Sequence, residues 1–203
     1  MNKLVLIATL LFGLHSVQAQ ELEVVQLYTQ DELLDLIKQN RHLQRVQADD
    51  CQLVNDIQAR SDVMKVPAYQ FLYGDMLAYG VCVRKDVERG WDLMQQAAAQ
   101  GLPEALEQVG RYYHTGKFVQ QDRAKAILYL REAAGLGNLN AQLRFGQMLV
   151  EGDASPVDME QAYRWLHHTV IADEKKHAQV THLLTQLAEK MPGAVLERAK
   201  KPL

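Results

Sequence analysis

From Pro67 to Asp173 the chain alternates apolar stretches of helical spacing with short polar breaks, and the alternation recurs every 36 residues. Three segments align without gaps, starting at Tyr69, Ala105 and Ala141. Gly74, Gly110 and Gly146 fall in register, as do Gly80, Gly116 and Gly152, and Asp86, Asp122 and Asp158. Gly90, Ala126 and Ala162 share a small-residue phase, and Ala97 and Ala133 share another where the third copy has Thr169. Apolar positions three and four apart make one face of a helix. A fixed period of this length marks a repeat array, in which each unit buries its apolar face against the next.

Each copy reads as a helix, a loop and a second helix. Pro67 and Pro103 suit the first turn of the leading helix in two copies, because the N–H that proline lacks has no intrahelical partner there. Gly80, Gly116 and Gly152 then end that helix, a left-handed cap being easiest for glycine. Asp86, Asp122 and Asp158 are expected to cap the second helix by accepting a backbone N–H. That helix is expected to end at Gly101, Gly137 and Asp173. Gly74, Gly110 and Gly146 sit inside the leading helices, where each costs about 1 kcal/mol relative to alanine. A cost repeated at one phase implies close approach of the paired helix, with Ala126 and Ala162 opposite. Tyr73, Val109, Phe145, Leu93, Tyr129 and Trp165 are expected to fill the space between layers.

The expected fold is all-α: an α-solenoid of helix-turn-helix repeats (67–101, 103–137 and 139–173) with helical caps at both ends. In the N-terminal cap, residues 20–66, Thr29 and Glu32 form a capping box ahead of the stripe Leu33, Leu36, Ile37 and Leu43. A second helix is expected from Asp50, acting as its cap, to Ala59. At the other end, in residues 174–203, Glu174 to Met191 reads as one amphipathic helix closed by Pro192 and Gly193, with Arg198, Lys200 and Lys201 in a solvated tail.

Residues 1–19 have the form of a secretory leader. Lys3 precedes an 11-residue apolar run, Leu4 to Leu14, and Val17-Gln18-Ala19 supplies small residues for cleavage between Ala19 and Gln20. The run is too short for a bilayer-spanning helix, and no later segment is apolar enough. Export puts Cys51 and Cys82 in an oxidising compartment, where an even count fits one intramolecular disulfide; two buried thiols or an intermolecular bridge are the alternatives. The formal charge of −3 and the absence of a basic block interleaved with aromatics argue against nucleic acid as a partner.

Reactive constellations are sparse. No HExxH, CxxC, phosphate-loop or Gly-x-Ser-x-Gly pattern occurs. His167 and His168 are adjacent, so on a helix they point about 100° apart instead of stacking as an i, i+4 chelating pair. No catalytic, cofactor-binding or metal-binding residue is assigned. What remains is a concave face on which Arg111, His114, Arg144 and Gln147 are candidate contacts.

The phase Ala105-x4-Gly110, Gly116, Asp122, Ala126 and Ala133-Ala134 resembles the Sel1-like repeat family, which implies the solenoid and says little of function, since its members serve as adaptors in many systems. The leader, residues 26–60 (QLYTQDELLDLIKQNRHLQRVQADDCQLVNDIQAR) and residues 73–83 (YGDMLAYGVCV) resemble more narrowly the MotX family of sodium-driven polar flagellar motor components. That resemblance implies a periplasmic protein that associates with MotY, forms a ring at the flagellar basal body, and helps to install or retain stator units through the periplasmic part of the stator B subunit. It also places Cys51 and Cys82 at the family's cysteine positions. The alternatives are another Sel1-like envelope adaptor or, from a different class, a hydrolase of the cell wall or of an antibiotic, against which stands the lack of a recognisable nucleophile–base pair.

Overall fold

The structure, a computed structural model, describes residues 27–201; the expected leader, its cleavage point between Ala19 and Gln20, and residues 20–26 of the N-terminal cap lie outside the described residues. Within them the chain forms eleven α-helices and one 3-10 turn, with no strand. The N-terminal unit comprises α1 (Gln30–Lys38), α2 (His42–Ala48) and α3 (Val54–Asp62). The repeats follow as α4 (Pro67–Tyr79) with α5 (Val87–Ala99), α6 (Pro103–Thr115) with α7 (Arg123–Gly135), and α8 (Leu139–Glu151) with α9 (Met159–His168). The chain then continues through α10 (Glu174–Lys190) and α11 (Gly193–Ala199).

The 36-residue period is written into the backbone hydrogen bonds. Asp86 N–H donates to the carbonyl of Leu77, and Asp122 N–H to that of Tyr113, at 2.9 Å each. Val81 to Met76, Lys117 to Tyr112 and Asp153 to Met148 are likewise one bond repeated. Gly80, Gly116 and Gly152 cap α4, α6 and α8 in the left-handed region, at φ 74°, 71° and 84°. Asp86 and Asp122 cap α5 and α7, accepting from the N–H groups of Arg89 and Lys125. Asn138 does the same for α8, where the other two copies rely on proline. Repeats one and two are also tied by hydroxyls: Tyr79 and Tyr112 meet at 2.7 Å, and Lys117 donates to Tyr79 at 2.8 Å.

The third copy departs from the pattern. Pro156 opens a 3-10 turn, Pro156–Asp158, that runs straight into α9. Asp158 therefore does not cap a helix as expected; its N–H bonds to Ser155 and its carboxylate faces Arg131 at 3.7 Å. Proline fixes φ and has no N–H to donate, so a loop carrying it where the other copies have Arg84 and Gln120 closes differently. Helix α9 also stops at His168, and Asp173, expected to end it, instead caps α10 by accepting from Lys176 N–H.

The core is layered. Every residue of α4 from Ala68 to Ala78 is buried, as suits a helix that is apolar on nearly every side and carries only Gln70 and Asp75 as polar exceptions. It packs on α5 and on all three helices of the N-terminal unit. Tyr73, Leu93, Val109 and Phe145 are buried as expected, and Tyr129 and Trp165 are half-buried against the same core. Thr29 caps α1. The second N-terminal helix is not the one expected. Two short helices flank a turn in which Asp50 and Cys51 take φ 49° and 60°, and α3 starts at Val54 without a side-chain cap. A left-handed pair breaks any helix drawn through it, so Asp50 caps nothing.

The C-terminal segment is likewise more structured than its composition suggests. Gly193 begins α11 and does not simply end α10. Arg198 docks on α9 through Glu160 at 2.8 Å, while Arg164 donates to the Arg198 carbonyl and His168 to that of Lys201. The hydrogen bond from Arg198 holds the Glu160 carboxyl below its ordinary value. A carboxyl depressed in the folded state contributes stability at neutral pH and loses it as pH falls through the folded value. We expect Glu160→Gln to reduce amide-exchange protection across residues 193–201 at pH 7, leaving α4–α8 unchanged. The native chain should show the same loss only on acidification, as the pH falls through the depressed Glu160 value.

Candidate interaction groove

The leading helices α4, α6 and α8 line one side of the solenoid, and along it runs a groove of about 1050 Å³. The four side chains singled out from sequence, Arg111, His114, Arg144 and Gln147, all border it. So do Leu34, Ile37 and Lys38 of α1 and Lys176 of α10, which form its two ends and lie outside the 36-residue repeats.

The register of the repeat shows how the groove is organised. Phe71, Glu107 and Leu143 occupy one phase of the three leading helices, and Asp75, Arg111 and Gln147 occupy another, each 36 residues apart. In the first repeat this face is filled. His42 of α2 lies over Phe71, with ring centroids 5.6 Å apart, and its Nε2 meets the Asp75 carboxylate at 2.8 Å. Both His42 and Asp75 are only 2% exposed. A polar group buried to that degree is kept by its hydrogen-bond partner, and here the partner belongs to the N-terminal unit. A lone carboxylate inside the apolar run Phe71–Tyr79 was the sequence signal for this pair, but nothing in the sequence pointed to His42.

In the second and third repeats the same phases face open space. Arg111 and Arg144 converge on Glu107, at 3.9 and 3.4 Å, and Arg111 also donates to Gln108. Glu107 is nearly buried while the two guanidinium groups are about a third exposed. Stacking over the Tyr112 ring, 4.8 Å away, fixes Arg111 further. The cations Lys38, Arg111, Arg144 and Lys176 outnumber the carboxylates Glu104 and Glu107 by two along the groove, although the chain as a whole is negative. Leu102, Leu139 and Leu143 supply half-buried apolar surface between them.

Cys51 and Cys82 are bonded to one another. Cys82 stands at the loop phase held by Phe118 in the second repeat and Ala154 in the third. Phe118 tucks its ring against Tyr112 and Tyr79, and Ala154 is buried; Cys82 fills the same place by bonding to the N-terminal unit. Cys82 and Phe118 share a left-handed backbone, at φ 60° and 65°. The adjacent histidines have separate contacts: His167 stacks on Tyr163 and His168 binds the Lys201 carbonyl. Among the described residues no group of three or more His, Cys, Asp or Glu is placed to hold a metal ion, and no helix is long and apolar enough to cross a membrane.

The Sel1 repeat family matches residues 67–102, 103–138 and 139–167, its third unit ending within one residue of the early stop of α9. Over 177 residues, covering 87% of this chain and 84% of the relative, the sequence is 52% identical to the sodium-type polar flagellar protein MotX of Vibrio parahaemolyticus. The chain belongs to the MotX family. The aligned stretch is much longer than the part matched by the Sel1 repeats, so the likeness extends into the segments that flank them. An uncharacterised protein of Neisseria meningitidis is 30% identical over 58% of this chain and 27% of its own length. Among solved structures, a Sel1 repeat protein from Oxalobacter formigenes aligns with a TM-score of 0.55 at 21% identity, over 64% of this chain and 97% of that one, a likeness of fold alone. In this MotX homologue, then, the Sel1 solenoid carries the groove and the flanking segments close its ends.

Proposed function

We propose that the chain is a periplasmic adaptor of the sodium-driven polar flagellar motor, acting by binding and without catalysis. In this reading it forms a basal-body ring with MotY and helps to recruit or retain the stator through the periplasmic part of the stator B subunit. The observation that carries the reading is the 52% identity to MotX over 84% of that protein's length. The groove supports it in kind. A solenoid side with fixed arginines, half-buried leucines and a surplus of positive charge suits a protein partner. The disulfide fits an oxidising compartment.

Deletion of the gene in its own organism is the direct test. Cells that build flagella but no longer swim in sodium-containing medium, and in which MotY fails to purify with basal bodies, are the expected result. A deletion strain that swims normally sinks the motor assignment.

A further inference from the structure

The first repeat shows how this groove is filled when it has an occupant. The N-terminal unit lays α1 and α2 against the α4 face, and the contact that fixes it polarly is a basic side chain, His42, on Asp75. One repeat further on, the residue at the phase of Asp75 is Arg111. The polarity of the anchoring position is reversed, and the space beside it is open. The two arginines there share a single carboxylate, Glu107, at distances longer than a good charge-assisted hydrogen bond. A guanidinium has five N–H donors, so Arg111 and Arg144 together hold far more donor capacity than Glu107 and Gln108 absorb. The surplus of two positive charges extends the same character to both ends, at Lys38 and Lys176.

We propose that the open stretch of the groove, beside α1 and across α6 and α8, receives an acidic segment of another protein. An Asp or Glu of that segment completes the Arg111–Glu107–Arg144 cluster as a second carboxylate, and its apolar residues cover Leu102, Leu139 and Leu143. The segment continues the path that the N-terminal unit begins, with the carboxylate of the anchoring contact now on the incoming segment instead of on the leading helix. This inference rests on the adaptor reading but not on the assignment to the motor. Like-charged segments are rejected at the same point, because they would place a further cation against two arginines that already share one anion.

The test is site-specific photocrosslinking in living cells. A benzophenone amino acid replaces Gln147, which is exposed and borders the groove, and in a control replaces Glu132, which is exposed on α7 away from it; the crosslinked peptide is mapped by mass spectrometry. We expect Gln147 to crosslink to a protein segment bearing Asp or Glu. In an Arg111→Gln/Arg144→Gln background the yield should fall at least tenfold, while the purified chain keeps its native helical circular dichroism. Four results overturn the proposal: a crosslinked segment without carboxylates, a product that is lipid or polysaccharide, a yield unaffected by the double substitution, or no product except from position 132. An acidic segment from a protein outside the motor supports the groove chemistry and counts against the motor assignment, so the two ideas fail separately.

Discussion

Replacing Cys51 and Cys82 together with alanine should lower the unfolding free energy by about 3–4 kcal/mol, the chain-entropy value for a bond spanning 31 residues. For a chain of this size that corresponds to a fall in melting temperature of about 6–16 °C. The loss should also be local. Both cysteines sit at φ 60°, a conformation that costs an L-residue about 1–2 kcal/mol and that the bond helps to hold. Once it is gone, the turn between α2 and α3 has few other ties: the N-terminal unit meets the rest of the fold chiefly through α4. Amide exchange should therefore show α1–α3 losing protection while α6–α8 keep theirs, and a reductant acting on the native chain should reproduce the pattern. Because Leu34, Ile37 and Lys38 border the groove, the same variant should bind its partner more weakly although no residue of the Arg111–Glu107–Arg144 cluster has changed. A melting temperature within about 2 °C of the native one, with uniform protection, would show that the staple is dispensable.

Periodicity determined how much of this was legible in the sequence. Where a feature recurs at 36 residues, the glycine caps, the Asp86 and Asp122 caps and the layered core, one position checks the next, and the expectation and the structure agree. Features that occur once carry no such check. Pro156 overrides the cap expected of Asp158 because one residue without an N–H redirects a whole loop. Asp50 looks like a helix cap until the left-handed pair at residues 50 and 51 is seen. Arg198 reads as a solvated end because its partner, Glu160, is 38 residues away on another helix. The groove was half visible. Arg111, His114, Arg144 and Gln147 could be named because they lie on the repeated leading helices, although the sequence did not say which face each takes, whereas Lys38, His42 and Lys176 reach the groove through tertiary packing of non-repeated segments, for which a single sequence offers no period to read.

The same contrast yields a sharper expectation at Gly90. The repeat alignment places Ala126 and Ala162 at its phase, so the pattern alone makes Gly90→Ala harmless, even favourable by the helix preference of about 1 kcal/mol. The structure reverses this. A Cβ on Gly90 would lie 2.6 Å from the Gly74 carbonyl oxygen and 2.8 Å from the Ala78 nitrogen, and a Cβ on Gly74 would lie 2.8 Å from the Gly90 oxygen. These are backbone atoms of two helices in direct contact, so no rotamer change relieves the overlap; α4 and α5 must separate. Helix α4 cannot yield easily, since α1, α2 and α3 pack on it as well. Gly90→Ala should cost about 3 kcal/mol, the upper end for an overpacked core. Gly146 is the control. Its nearest neighbours are the side-chain tips Leu183 Cδ2 at 2.9 Å and Leu166 Cδ1 at 3.5 Å, which can turn aside, so Gly146→Ala should stay within about 1 kcal/mol of the native chain once helix preference offsets the strain. Urea titration of the two variants decides the matter. Equal stabilities would mean that α4 and α5 are no closer than the other helix pairs, and that the glycines at 74 and 90 have another cause.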